Sequence, residues 1–175
     1  MNQGVLIVLV GIPGSGKSEW ASRNASGAVV VSQDDLIDAI TPYGFDPAYR
    51  TVYAAAETAI ASAGLAAGLP VIVDRTNRTR ALRQRWLKLA SEHNCPAVAV
   101  EMTSDVELCR ARNQARTNHR RVSESRMERM IKALETPSPS EGFHAFFRDE
   151  ESDLNSILQY LSQRVCNEDV CNVER

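Results

Sequence analysis

The sequence lacks most of the features that would assign it at a glance. No run approaches the ~18 consecutive apolar residues of a membrane span, and Met1 to Val10 has neither a basic stretch nor a cleavage site, so a cytoplasmic protein with no membrane partner is expected. Cys95, Cys109, Cys166 and Cys171 form no C-x-x-C pair, and His93, His119 and His144 do not fall at zinc-ligand spacing from them. Free thiols are therefore expected, with Cys166 and Cys171 the pair most able to join under oxidation. Aromatic residues make up only 6% of the chain; platforms for base stacking are few, and Trp86 is expected in the core. No internal repeat or low-complexity tract occurs, and 175 residues leave no room for a second full-sized domain.

The formal charge of −2 looks equally uninformative, but it is a cancellation. Residues 1–74 carry 3 Lys/Arg against 7 Asp/Glu, residues 75–132 carry 14 against 6, and residues 133–175 carry 3 against 9. The middle segment is strongly basic, which suits a polyanionic partner.

Val5–Val10 is a continuous apolar run closed by Gly11 and Pro13, the pattern of a strand buried on both faces. Residues 28–32, 70–74 and 96–102 repeat it, and 143–147 is a candidate fifth strand. Helical spacing falls between them: Lys17 to about Arg23, Asp46–Leu65 with Pro47 in its first turn, Thr79–Glu92, Asp105–Ala115, Ser123–Leu134 with Ser123 as its cap, and a last helix carrying Leu154, Ile157, Leu158 and Leu161. Such alternation predicts an α/β fold with a parallel sheet covered by helices. Thr117–Arg121 reads as an exposed, arginine-rich connection.

Gly11-Ile-Pro-Gly-Ser-Gly-Lys17-Ser18 matches G-x-x-x-x-G-K-[ST] between a predicted strand and a predicted helix. Small residues let successive backbone N–H groups converge on phosphate oxygens at a helix N-terminus. Gly11, Gly14, Ser15, Gly16, Lys17, Ser18 and Glu19 are thus candidate nucleotide-binding residues, with Lys17 on the β/γ-phosphates and Ser18 on Mg²⁺. No T-K-x-D or N-K-x-D guanine-reading sequence is present, which favours ATP.

Asp34 and Asp35 follow the second strand directly, where ligands of a doubly wound sheet lie. A carboxylate there can accept the proton of an attacking hydroxyl; Asp34 is assigned that role and contact with the acceptor, Asp35 a place in a helix N-terminus. Asp74, closing the third strand, is a candidate Mg²⁺ ligand. Arg75, Arg78, Arg80, Arg83 and Arg85 crowd the mouth of the same site, each equally readable as a phosphate contact or a solvated charge. In the second basic stretch, Arg116 is placed to stabilise transferring charge from a lid, and Arg112 to contact the nucleotide.

These residues together resemble the kinase domain of polynucleotide 5′-hydroxyl kinases, over about residues 5–147. The resemblance is carried by Gly11–Ser18, Asp34-Asp35, Asp74-Arg-Thr76-Asn77, Arg112-Asn113-x-x-Arg116, Arg121-Val122 and Leu134-Glu135-x-Pro137-x-x-x-Glu141-Gly142-Phe143. It implies a P-loop kinase domain over 1–175 with four to five strands, a helical arginine-rich lid at about 110–130 and a C-terminal helix at about 152–165. It also implies ATP and Mg²⁺, catalysis by Lys17, Ser18, Asp34 and Arg116, nucleic-acid 5′ ends as acceptor, and Arg75, Thr76, Asn77 and Arg78 on the acceptor side. The chain departs from some members in having Ile37 three residues after Asp34 and Arg75 between Asp74 and Thr76. It contains no D-x-D-x-T sequence, so no 3′-phosphatase activity is expected. A kinase for another hydroxyl (nucleoside, small molecule or hydroxymethylated base) and an ATP-binding switch that transfers nothing stay open. An oligomeric state is not legible.

Overall fold

A computed structural model describes residues 4–117 and 119–171, with side chains up to Arg164. Five strands, β1 (Val5–Val10), β2 (Val29–Ser32), β3 (Pro70–Asp74), β4 (Ala97–Glu101) and β5 (Ala145–Arg148), form one sheet in the order β2-β3-β1-β4-β5. Every pairing is parallel. Strand β1 lies at the centre with all six residues buried, and its alternating side chains divide the core. Leu6, Val8 and Val10 pack with Ala61, Leu65, Trp86 and Leu89 on one face, whereas Val5, Ile7 and Leu9 pack with Trp20, Leu154 and Ile157 on the other. Burial on both faces explains why the strand reads as an unbroken apolar run.

Seven helices occur among the described residues and flank the sheet and its carboxyl edge: α1 (Lys17–Arg23), α2 (Gln33–Ile40), α3 (Arg50–Ala66), α4 (Arg80–Glu92), α5 (Val106–Gln114), α6 (Glu124–Lys132) and α7 (Leu154–Cys171). Helix α2, whose N-terminus was expected to hold Asp35, runs from Gln33 to Ile40 with Asp34 and Asp35 in its first turn. Its sequence is short and acidic with Ile37 its one buried residue, so tertiary contact rather than an apolar stripe holds it, aided by the Ser32 hydroxyl accepting from the Asp35 N–H. The long helix expected from Asp46 divides into a 3₁₀ turn at Pro47–Tyr49 and α3. Thr79 caps α4 by accepting from the Leu82 N–H. Ser123 occupies the N-cap position of α6, but its side chain makes no capping bond; its hydroxyl lies 3.5 Å from that of Ser125 instead.

The segment after α6 is locked to α4. Arg83 is fully buried and donates twice to Glu141 at 2.7 Å, and to the carbonyls of Asn77 and Glu135. Burial raises the Glu141 carboxyl, but Arg83 and the Ser138 N–H outweigh it and hold the carboxyl below its usual range. No described helix is long and apolar enough to cross a membrane. Cys95 and Cys109 are free and buried; the pairing considered for Cys166 and Cys171 falls on side chains outside those described.

Candidate active site

Loop 11–18 joins the end of β1 to the start of α1 at the carboxyl edge of the sheet. Gly14 has φ +83°, and a Cβ there would lie 2.4 Å from the Cys109 carbonyl of α5. Only glycine allows that close approach. Lys17 is 8% exposed, and its Nζ donates to the Ile12 carbonyl at 2.7 Å and to Ser15 Oγ at 3.2 Å. Burial lowers the Lys17 ammonium to about 8, opposed by the Asp74 carboxylate and, further down, Asp34.

Asp74 is also 8% exposed. Burial pushes its carboxyl up, while a hydrogen bond from Ser18 and the charge of Lys17 oppose the shift. A buried carboxylate beside a P-loop hydroxyl is a pair of hard oxygen donors. As donors these two fit Mg²⁺ of the kind completed by substrate phosphates and water; among the described residues there is no group of three or more His, Cys, Asp or Glu that could hold a metal.

Asp34 and Asp74 line one cleft of about 760 Å³ with Gly14, Gly16, Lys17, Ser18 and Glu19. Gly11 and Ser15 lie beneath it: Ser15 is buried, and a Cβ on Gly11 would come within 2.6 Å of Ser15 Oγ. Asp34 reaches the cleft from the first turn of α2, and Asp35 is exposed and paired with Arg120 at 2.8 Å.

The second wall is formed from α5 and α6, in the segment expected as the arginine-rich lid. Arg112 donates to the Gly14 carbonyl at 3.3 Å and to Ser104 Oγ at 3.4 Å, tying α5 to the phosphate loop. Asn113 clamps both backbone groups of Val122, at 2.7 and 3.0 Å, and so fixes the turn. Arg116 faces the cleft and donates to the Arg120 carbonyl at 3.2 Å. Across the cleft, Asp38 on α2 meets His119 at 2.6 Å and Arg120. These partners hold the Asp38 carboxyl below its usual range. The lid tip thus touches the helix that carries Asp34. Sequence reasoning missed Asp38; the signal was its spacing of four from Asp34, which puts both on one helical face.

On the remaining wall, Arg75, Thr76, Arg78 and Arg85 line the cleft. Arg75 and Arg85 both donate to one oxygen of Glu57, a buried residue of α3. The other oxygen of Glu57, and the Nε atoms of Arg78 and Arg85, have no partner among the described residues. Asn77 does not join them. It is buried at φ +41°, a conformation asparagine tolerates, donates to the Leu9 carbonyl at 2.8 Å and accepts from Trp86 Nε1 at 3.0 Å. The acceptor contact expected of Asn77 is therefore replaced by a bond that fixes the turn after β3. Arg83 is likewise absent from the cleft.

Known proteins share this architecture. The family model described as an AAA domain matches residues 6–137. A bifunctional polynucleotide phosphatase/kinase of Schizosaccharomyces pombe is 29% identical over 143 residues, 79% of this chain and 31% of that protein; the chain thus spans less than a third of that curated relative. Among solved structures, a candidate kinase from Chloroflexus aurantiacus superposes with a TM-score of 0.69 at 19% identity, covering 95% of this chain and 98% of that one. A chain of the Pnkp1/Rnl/Hen1 RNA repair complex superposes with a TM-score of 0.65 at 25% identity, over 77% of this chain and 45% of that one. The chain belongs to this AAA-domain family and has the α/β fold of a P-loop kinase.

Proposed function

We propose that this chain transfers the γ-phosphate of ATP to the 5′-hydroxyl of a nucleic-acid end. The observation that carries the acceptor class is the wall opposite the lid: three guanidinium groups, Arg75, Arg78 and Arg85, line the cleft together, and a single buried carboxylate, Glu57, is shared by Arg75 and Arg85. A net positive cradle suits the phosphates that flank a strand end better than a neutral sugar. The likeness to a polynucleotide phosphatase/kinase supports the same reading.

In this mechanism the loop amides and Lys17 hold the β- and γ-phosphates, and Ser18 and Asp74 hold Mg²⁺. When bound, that ion neutralises charge on the phosphate oxygens. Arg75, Arg78 and Arg85 fix the acceptor strand so that its terminal hydroxyl meets Asp34, which orients the oxygen and takes its proton as the new O–P bond forms and the bond to the β-phosphate oxygen breaks. Arg116 supplies positive charge from the lid to the phosphoryl group in flight. The transfer is in line and direct, so no phosphorylated enzyme forms.

The test is incubation with γ-labelled ATP, Mg²⁺ and a 5′-hydroxyl oligonucleotide beside its 5′-phosphorylated twin. Label on the hydroxyl oligonucleotide alone is expected. Label on both, or on neither, overturns the assignment.

A further inference from the structure

The chain has ten aromatic residues, counting four Tyr, four Phe and two Trp, and four of them, Tyr43, Phe45, Tyr49 and Tyr53, fall within eleven consecutive positions between α2 and the start of α3. Tyr53 is the fixed base of the group. It is 2% exposed, its hydroxyl bonds that of Thr41 and accepts from the Asp46 N–H at 3.2 Å, and its ring supports Phe45 at 5.6 Å and Tyr49 at 6.5 Å between centroids. The upper members are open to solvent: Tyr43 is 68%, Phe45 45% and Tyr49 40% exposed. The Arg50 guanidinium lies over the Phe45 ring, 5.9 Å from its centroid.

Core packing explains Tyr53 but not the ledge of exposed rings on it. The ledge is continuous with the cleft, since Phe45, Arg50, Tyr53 and Ala54 line the same cavity as Asp34 and Arg85. It stands on the β2 side of the sheet, which holds Asp34, whereas α5, which carries Arg112, follows β4 on the other side of β1. Rings beside arginines at the acceptor end are the combination that binds unpaired bases, because every base has a face to stack while the guanidinium groups take the backbone. We infer that Phe45, with Tyr49 and Tyr53 behind it, is the stacking platform for the first bases of a single-stranded acceptor. A base held in a duplex has no free face to offer it, so the enzyme should prefer unpaired ends.

This inference rests on the proposed acceptor, and its test separates the two. Transfer is measured to a single-stranded 5′-hydroxyl oligonucleotide and to one of equal length whose first two residues are abasic, which keeps the phosphates and removes the bases. For the wild-type protein the abasic ends should raise the acceptor KM on the order of tenfold, the scale of one lost base–aromatic stack, with KM for ATP unchanged. Phe45→Ala should raise KM for the intact acceptor by the same factor and show no further penalty on the abasic one; Phe45→Trp should restore discrimination. Should Phe45→Ala fail to fold, Tyr49→Ala carries the same comparison. Equal KM values for the two acceptors with the wild-type protein, or a raised KM for ATP in Phe45→Ala, overturn the platform and leave the kinase assignment standing. Absence of transfer to either oligonucleotide defeats the kinase assignment instead. Fluorescence anisotropy with the same two oligonucleotides then decides the platform: tighter binding of the intact strand, lost in Phe45→Ala, supports it, and equal binding or none overturns it.

Discussion

Arg83 and Arg85 stand two residues apart on α4 and meet opposite fates. Arg83 points into the protein, where two bonds to Glu141 and two backbone carbonyls satisfy it. Arg85 lies against the Trp86 ring, 4.0 Å from its centroid, and shares one oxygen of Glu57 with Arg75. The first pair is closed and holds segment 135–142 to α4. The second is open: one carboxylate serves two guanidinium groups, and a buried Glu57 oxygen and the buried Arg85 Nε have no partner among the described residues. What separates scaffold from site is thus completeness of hydrogen bonding, since a buried polar group without a partner costs stability unless a ligand supplies one.

The sharpest way to break this contrast is to remove each arginine. Arg83→Ala leaves Glu141 buried and unpaired, so it should cost about 3–5 kcal/mol and lower Tm by roughly 10 °C in thermal unfolding. Arg85→Ala should leave Tm almost unchanged, because Arg75 still pairs Glu57, and should instead raise the acceptor KM about tenfold, one charge-assisted phosphate contact. If the two variants exchanged these effects, the division between closed and open pairs would be wrong.

Burial acts on the donor side as well, and pH reads it. Lys17 in the free protein loses its proton at about 8, and phosphate contact raises that value. The bound state therefore keeps a proton that the free state gives up, so nucleotide affinity should be flat below pH 8 and fall by up to about tenfold per unit above it. Calorimetry at pH 7 and pH 9 checks the sign. The smallest effect concerns salt. Acceptor binding should weaken as salt rises, and Arg85→Ala should reduce that slope by about one counterion.

The sheet and the phosphate loop were legible in the sequence because a strand buried on both faces and a G-x-x-x-x-G-K-S turn each impose their residues locally. The arginines were legible only as a group. Composition and spacing could not tell Arg83 from Arg85, because their difference lies in Glu141 and Glu57, 58 and 28 residues away. The same distance hid the work of Asn77 and Asn113, which accompany the motifs but pin β1 and the lid turn by bonds to Leu9 and Val122. Helix α2 was legible only at its N-terminus, through Asp35; Asp38 escaped because Asp34 and Asp38 line the cleft on a polar face, and a periodicity search sees only apolar stripes. The aromatic ledge was invisible because low overall aromatic content says nothing of where those residues gather.

Under this account the arginines bind and Asp34 activates, a distinction that also separates a kinase from a nucleotide switch. The direct measurement is single-turnover transfer to a 5′-hydroxyl oligonucleotide by Asp34→Ala, with ATP affinity measured in parallel. Unchanged ATP binding with transfer slowed at least ~10²-fold is the expected result, the scale of a lost general base; transfer at the wild-type rate would contradict the account.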